Sequence, residues 1–149
     1  MRITTQGSYG LVCVLTIARN AGRQPVSIQA ISEKEQLSID YLEQLLLKLR
    51  RAGIVKSLRG RMGGYLLAKP ASRLTVRDVI EAVEGSVFDT ICDHKKRKKD
   101  TCIRPRDCFA KPMWTELKRI IEDYLGKVSI ASLLNSKATN CHYRKNKSY

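Results

Sequence analysis

The sequence predicts a mainly α-helical protein with a small β wing, namely a winged helix-turn-helix domain followed by a long dimerisation helix. Three observations predict this fold class. Two short amphipathic helices adjoin with only a tight turn between them, a glycine-rich hairpin follows directly, and a later helix carries apolar residues at alternating steps of three and four. The chain of 149 residues suffices for one domain with an extension, and 43% hydrophobic residues can form a core.

Charge and hydropathy narrow the class of partner. The 28 basic and 14 acidic side chains give a formal charge of +14. This charge favours a negatively charged partner, with nucleic acid as the first expectation and an anionic membrane surface as the second. No segment approaches the ~18 apolar residues of a membrane span, and the N-terminus lacks the features of a secretory signal. We therefore expect a cytoplasmic protein without a membrane partner. There, its five cysteines are expected to be metal ligands, reactive thiols or core residues rather than disulfides.

The first three helices are predicted from apolar spacing and caps. The first covers residues 8–21, is ended by Gly22 and includes Cys13 as a buried core thiol. Ser27 caps the second, over residues 28–36. Ser38 caps the third, over residues 39–52, whose apolar stripe consists of Leu42, Leu45, Leu46 and Leu49 and whose polar face carries Asp40, Glu43, Gln44, Lys48 and Arg51.

A basic β-hairpin is predicted over residues 54–69, directly after the third helix. Six basic residues and no acidic one lie between Lys48 and Arg61. A basic hairpin at this place is typical of a winged helix that binds duplex DNA, with the third helix in the major groove. The alternative is a solvated basic face with no role in DNA binding. The candidate DNA-binding residues are Ser38, Asp40, Tyr41, Glu43, Gln44, Lys48, Arg51, Arg59, Gly60, Arg61, Gly63 and Gly64.

The next helix completes the DNA-binding domain, residues 1–85. Thr75 and Asp78 predict its N-terminal cap and Gly85 its end. Residues 86–111 then contain Cys92, Cys102 and Cys108 around a run of five basic residues.

This cysteine spacing is too wide for most zinc fingers, but thiolates on such a loop can hold an iron–sulfur cluster. An unliganded loop is the alternative. A nucleophilic Cys92 beside His94 is a third interpretation, but no orienting third group is evident, and we expect no enzyme.

The last helical region, residues 112–135, is predicted to hold the dimerisation helix and a short C-terminal helix. Steps of three and four form a coiled-coil seam that favours a self-complementary dimer, with packing inside the monomer as the alternative. Residues 136–149, polar and basic, are expected to form a disordered tail. The predicted dimer-interface residues are Trp114, Leu117, Ile121, Tyr124 and Val128.

Four stretches resemble the IscR-type (Rrf2) family of bacterial winged-helix regulators. They are MRITTQGSYGL, SIDYLEQLLLKLRRAGIVKSLRGRMGGYLLAKP, LTVRDVIEAVEG and DCFAKPMW, and the similarity covers residues 1–135. The resemblance implies a homodimer that binds a partly palindromic DNA operator. It also implies a cluster, 2Fe–2S favoured and 4Fe–4S possible, on Cys92, Cys102 and Cys108, and a role for Glu43 in selecting between operators.

Two departures from the family pattern leave the fourth cluster ligand open. The first cysteine gap is wider than in the enterobacterial pattern, and Lys111 stands where those members carry a histidine. Other members use an acidic residue near the N-terminus, where this chain has Ser8. Candidates are His94, Ser8, a small thiol or water.

The resemblance implies a regulator, most often a repressor, that senses iron–sulfur cluster status and controls cluster-assembly genes. Alternatives are a repressor that responds to nitric oxide or iron, like NsrR and RirA, and a cluster-free regulator controlled by a partner protein, like CymR. Family members of the last kind lack the cysteine triad, which this chain has.

Overall fold

The protein is described by a computed structural model covering residues 4–20, 22, 24–60, 63–88 and 108–136. Within this part, six α-helices pack around a main apolar cluster and a smaller one, and a two-stranded hairpin projects from them. The prediction of a mainly helical fold with a small wing is confirmed. In chain order the elements are α1 (Thr5–Arg19), α2 (Ile28–Glu35), α3 (Ile39–Arg51), β1 (Val55–Leu58), β2 (Gly64–Leu67), a 3₁₀ turn (Ala71–Arg73), α4 (Val76–Glu84), α5 (Lys111–Lys127) and α6 (Ile130–Asn135).

Helix α1 runs through the centre of the core and begins earlier than predicted, because the Thr4 hydroxyl accepts a hydrogen bond from the Gln6 amide. It ends at Arg19, so the prediction that Gly22 ends it was wrong; Gly22 lies beyond the helix, with φ of 84°. Cys13 is fully buried, and burial raises its pKa to about 12, with Glu35 as a smaller cause. The expectation of a core thiol is confirmed.

Helices α2 and α3 form the helix-turn-helix, and both predicted caps are present. The Ser27 hydroxyl accepts from the Ala30 amide at 3.1 Å, and the Ser38 hydroxyl accepts from the Tyr41 amide at 3.4 Å. Gln36 ends α2 in the left-handed conformation, with φ of 53°. Helix α3 stops one residue before the predicted end, and its four predicted core leucines are all buried.

The wing is an antiparallel hairpin that is held to the chain ahead of α2. Its register pairs Val55 with Leu67 and Leu58 with Gly64. Val26 adds a short bridge: it donates to the Tyr65 carbonyl at 3.0 Å and accepts from the Tyr65 amide at 2.8 Å. These bonds fix the position of the wing relative to the helix-turn-helix.

Helix α4 begins with the predicted capping box. The Thr75 amide donates to the Asp78 carboxylate at 2.8 Å, and the Asp78 amide donates to the Thr75 hydroxyl at 3.2 Å. An isolated antiparallel bridge joins Thr75 to Ser129. It connects the start of α4 to the chain between α5 and α6. No helix in the described ranges is long and apolar enough to cross a membrane.

Helix α5 differs from the prediction of a single seam. Ile121 and Val128 pack inside the protomer, with Leu125, against an apolar cluster on α4, and Val128 follows the end of the helix. The Trp114 ring lies 6.4 Å from that of Phe88. The predicted seam therefore includes parts of two stripes: at about 100° per residue its five positions span about 80° around the helix axis, and Leu117 and Tyr124 lie at the edge of that span that faces away from α4. The exposed stripe consists of Met113, Leu117, Ile120 and Tyr124, spaced four, three and four residues apart, of which Leu117 is half-buried.

Candidate nucleic-acid interface

The outward face of α3 is polar, as predicted. Asp40, Glu43, Gln44 and Arg51 are exposed along it, and Ser38 is exposed at its start. These side chains project from a helix whose opposite face is fixed in the core, so they form a rigid surface rather than a flexible one. Such a surface suits the insertion of a helix into a major groove.

Tyr41 lies at the edge of this face. Its ring meets that of Tyr9 edge-on, with centroids 5.9 Å apart and planes at 83°. Burial, with a smaller effect from Tyr9, raises the pKa of Tyr41 above its ordinary value, so the phenol is neutral and can donate a hydrogen bond. The two tyrosines line an open groove of about 690 Å³ between the start of α1 and the helix-turn-helix turn.

Lys48 does not lie on the polar face, contrary to the prediction. Its ammonium group donates to Gln6 Oε1 at 2.9 Å and to the Val83 carbonyl at 3.0 Å. It therefore joins α3 to α1 and to the end of α4. Next to it, Glu84 Oε1 accepts from the Thr4 amide at 3.1 Å and the Gly7 amide at 2.8 Å. The end of α4, just before the cysteine segment, thus holds both α1 and α3.

Replacing Lys48 with Met should lower the free energy of unfolding by about 2 kcal/mol, because two hydrogen bonds to a charged group are lost and the carbonyl of the buried Val83 loses this donor. Urea denaturation followed by far-ultraviolet circular dichroism measures the change. Arg51→Met, which removes an exposed cation from the same helix, serves as the control. Equal stabilities of the two variants would show that the Lys48 contacts contribute nothing.

The wing presents Arg59 and Gly60 to solvent, whereas Arg61 lies outside the described residues. Gly60 has φ of 119°, a backbone conformation that favours glycine. Gly63 and Gly64 face the protein's own backbone: a Cβ on Gly63 would lie 2.7 Å from the Leu58 carbonyl oxygen. Both were predicted as DNA-binding residues, but the hairpin's own packing already requires glycine at these two positions.

Three further side chains near the candidate interface are exposed but were not among the predicted DNA-binding residues. Arg50 donates to the Ser57 hydroxyl at 3.3 Å and so links α3 to the wing. Ile39 and Leu47 are 40% and 36% exposed at the start and middle of α3. For Leu47 the signal was present in its spacing, since it continues the positions of Asp40, Gln44 and Arg51 in steps of four, three and four.

Only one of the three predicted cluster ligands falls within the described residues. Cys108 is a free, half-buried thiol just ahead of α5, and a free thiol is the donor type that a cluster requires. Cys92 and Cys102 lie outside the described residues, as does His94. Ser8, a candidate fourth ligand, is exposed on α1. In the part of the chain that is described, no three His, Cys, Asp or Glu residues form a metal site.

Comparison with known proteins identifies the family. A family model named Rrf2, described as an iron-dependent transcriptional regulator, matches residues 3–136. The chain belongs to the Rrf2 family. Its membership agrees with the resemblance that the sequence motifs suggested. The expectation that the protein is no enzyme is confirmed, since its relatives are transcriptional regulators.

Three known proteins are similar to this Rrf2 chain over most of its length. It is 42% identical over 137 residues to a candidate HTH-type transcriptional regulator of Neisseria meningitidis, covering 92% of this chain and 90% of that one. It is 38% identical to the HTH-type transcriptional regulator IscR of Erwinia tasmaniensis, covering 92% and 81%. The structure of CymR, the global cysteine regulator of Bacillus subtilis, superposes with a TM-score of 0.76 at 29% identity, covering 92% and 98%.

Proposed function

We propose that this Rrf2-family protein is a homodimeric repressor that binds a partly palindromic DNA operator and senses iron–sulfur cluster status. The observation that carries the proposal is the rigid polar face of α3, joined through the Arg50–Ser57 hydrogen bond to a wing with an exposed cation, Arg59, near its tip. Membership of a family of transcriptional regulators supports the same conclusion.

In the proposed complex, α3 lies in the major groove and the wing contacts the sugar–phosphate backbone or the minor groove. Gln44 can pair with adenine, and Asp40 or Glu43 can accept from the cytosine amino group. Glu43 would also select between operators, because a carboxylate near phosphates and guanine acceptors is repelled by the wrong sequence. Ser38, Tyr41 and Arg51 can contact phosphates at the edges of the groove.

Arg59→Ala should weaken operator binding strongly and reduce the slope of log K against log salt by about one, because one phosphate contact is lost. Fluorescence anisotropy with labelled operator across a series of salt concentrations measures both quantities. The matched control is Arg73→Ala, which removes an exposed arginine from the 3₁₀ turn. Identical slopes for the two variants would show that Arg59 makes no phosphate contact.

The proposed dimer forms through α5. A helix that leaves Ile120 50% exposed and Tyr124 67% exposed carries apolar surface that a second copy can cover. The residues beside the stripe are charged and mutually paired, since Arg119 contacts Glu116 at 2.6 Å and Asp123 at 2.8 Å. An apolar stripe with a charged flank is the usual pattern of a helix that pairs with another helix.

The proposed cluster is held by Cys92, Cys102 and Cys108, with the fourth ligand from His94, Ser8, a small thiol or water. When bound, it supplies a centre that reacts with oxidants or nitric oxide. The three cysteines belong to the segment between α4 and α5. Ordering this segment would set the spacing of the two winged helices across the dimer axis, and that spacing decides the fit to two half-sites. The proposed targets are iron–sulfur assembly genes.

An absorption spectrum of anaerobically purified protein, with iron, sulfide and zinc analysis, tests the cluster. Visible charge-transfer bands with equal iron and sulfide would support it. Cys102→Ala and Cys108→Ala should each abolish these bands while leaving a folded dimer. Cys13→Ala is the matched control, because that thiol is buried in the core. Full cluster content in either ligand variant would contradict the assignment, and one zinc per chain would indicate a structural site.

The similarity to CymR favours a second candidate, a cluster-free regulator controlled by a partner protein. The same spectrum distinguishes the two. Protein that stays colourless and metal-free after cluster reconstitution, yet still binds DNA, would support this second candidate. Loss of DNA binding on exposure of a coloured protein to nitric oxide or to an iron chelator would instead indicate a nitric oxide-responsive or an iron-responsive repressor.

A further inference from the structure

Leu47 is an apolar side chain in the middle of a polar surface. It is 36% exposed, whereas the other leucines of α3 are at most 2% exposed. At about 100° per residue, Leu47 points roughly 150° away from the mean direction of those buried leucines. It belongs to neither of the two apolar clusters formed by the described residues. Its side chain therefore does not support the core of the protomer.

The neighbours of Leu47 are the residues proposed to face DNA. Asp40, Gln44, Leu47 and Arg51 follow one another at steps of four, three and four, so they form one stripe along α3. Gln44 lies one turn before Leu47, and Arg51 lies one turn after it. A side chain in the middle of this stripe reaches the same groove as its neighbours on either side.

We propose that Leu47 contacts the C5-methyl group of a thymine and so determines sequence specificity at one position of each half-site. This inference rests on the proposed DNA-binding function. Leucine neither donates nor accepts hydrogen bonds, so beside most base edges it would leave polar groups unpaired. The thymine methyl is the apolar group that the major groove offers. Contact there removes apolar surface of both partners from water.

The position of the thymine relative to Gln44 also follows from helix geometry. Three residues of α-helix rise about 4.5 Å, close to the ~3.4 Å between stacked base pairs. With α3 lying along the groove, Leu47 would therefore reach a base pair next to the one contacted by Gln44. Because an amide side chain pairs best with adenine, each half-site should contain an adenine and, one step away, the thymine that Leu47 contacts.

The test removes the thymine methyl group and the Leu47 side chain in separate experiments. A duplex is first selected from a randomised pool with the full-length protein, both as purified anaerobically and after treatment with chelator. Each thymine is then replaced singly by uracil, which differs from it only by the methyl group. For the unmodified protein, we expect one position per half-site at which uracil lowers affinity about three- to tenfold. For Leu47→Ala, the same replacement should have no effect.

Leu47→Met is the matched control, because it keeps an apolar side chain of similar volume and should keep the sensitivity to uracil. Thermal unfolding of all variants checks that the fold is unchanged, as expected for an exposed side chain. If no thymine position depends on its methyl group, or if Leu47→Ala keeps the full dependence, the inference is overturned. If the unmodified protein selects no duplex, the proposed DNA-binding function itself fails.

Discussion

Ile120→Asp is expected to convert the protein to monomers and to lower its affinity for a two-half-site operator at least about 100-fold. Ile120 is 50% exposed in the middle of the stripe on α5 that also holds Met113, Leu117 and Tyr124. In a dimer, each copy would bury this side chain against its equivalent. Two carboxylates would then face each other across an apolar interface, which is strongly unfavourable. Separate subunits also lose the ~10²- to 10⁴-fold advantage of binding two half-sites together.

Sedimentation velocity measures the oligomeric state, and gel shifts with one-half-site and two-half-site duplexes measure the loss of avidity. The control is Thr115→Asp, which adds the same charge to an exposed position away from the stripe. It should remain dimeric and keep its operator affinity. An Ile120→Asp protein that stays dimeric would show that α5 is not the subunit interface. In that case the stripe must be covered in another way.

Gly64→Ala is expected to lower the free energy of unfolding by about 3 kcal/mol, because the added methyl overpacks a close backbone contact. A Cβ at this position would lie 2.5 Å from the Val26 carbonyl oxygen and 2.7 Å from its carbonyl carbon. Backbone atoms cannot rotate away as the end of a side chain can. The variant must therefore separate the wing from Val26 and strain the two hydrogen bonds between Val26 and Tyr65.

Operator affinity should fall together with stability, since the wing would no longer hold Arg59 in a fixed place beside α3. Urea denaturation measures the stability, and anisotropy with labelled operator measures the affinity. The control is Gly126→Ala in α5, where a Cβ would meet only the Arg77 side chain, at 3.8 Å. That change should be neutral or stabilising by up to about 1 kcal/mol, as for glycine in a helix. Unchanged stability of Gly64→Ala would show that the wing can shift without loss.

The outward polar face of α3 could be predicted largely from sequence, because the buried leucines fix which face points outward. Leu47 was left out of the predicted core stripe, yet it was not assigned to the DNA-facing surface either, because the predicted contacts of α3 were all polar or charged side chains. For the cysteine segment, spacing and family resemblance led to three ligands, and their assignment stays a prediction, since Cys92 and Cys102 lie outside the described residues. The fourth ligand of the proposed cluster stays open, because Lys111 and Ser8 stand at the positions where other family members carry the ligand residue.

The sequence by itself determined the elements whose causes are local. Ser27, Ser38 and Thr75 cap helices through atoms three residues away, and the leucine stripe of α3 defines its own buried face. Only the tertiary structure decided which neighbour each surface meets. Lys48 turns to Gln6 and Val83, Gly64 is held against Val26, and α5 packs Ile121 inward while Ile120 stays exposed. Each of these outcomes depends on contacts between residues far apart in sequence, and local spacing carries no information about them.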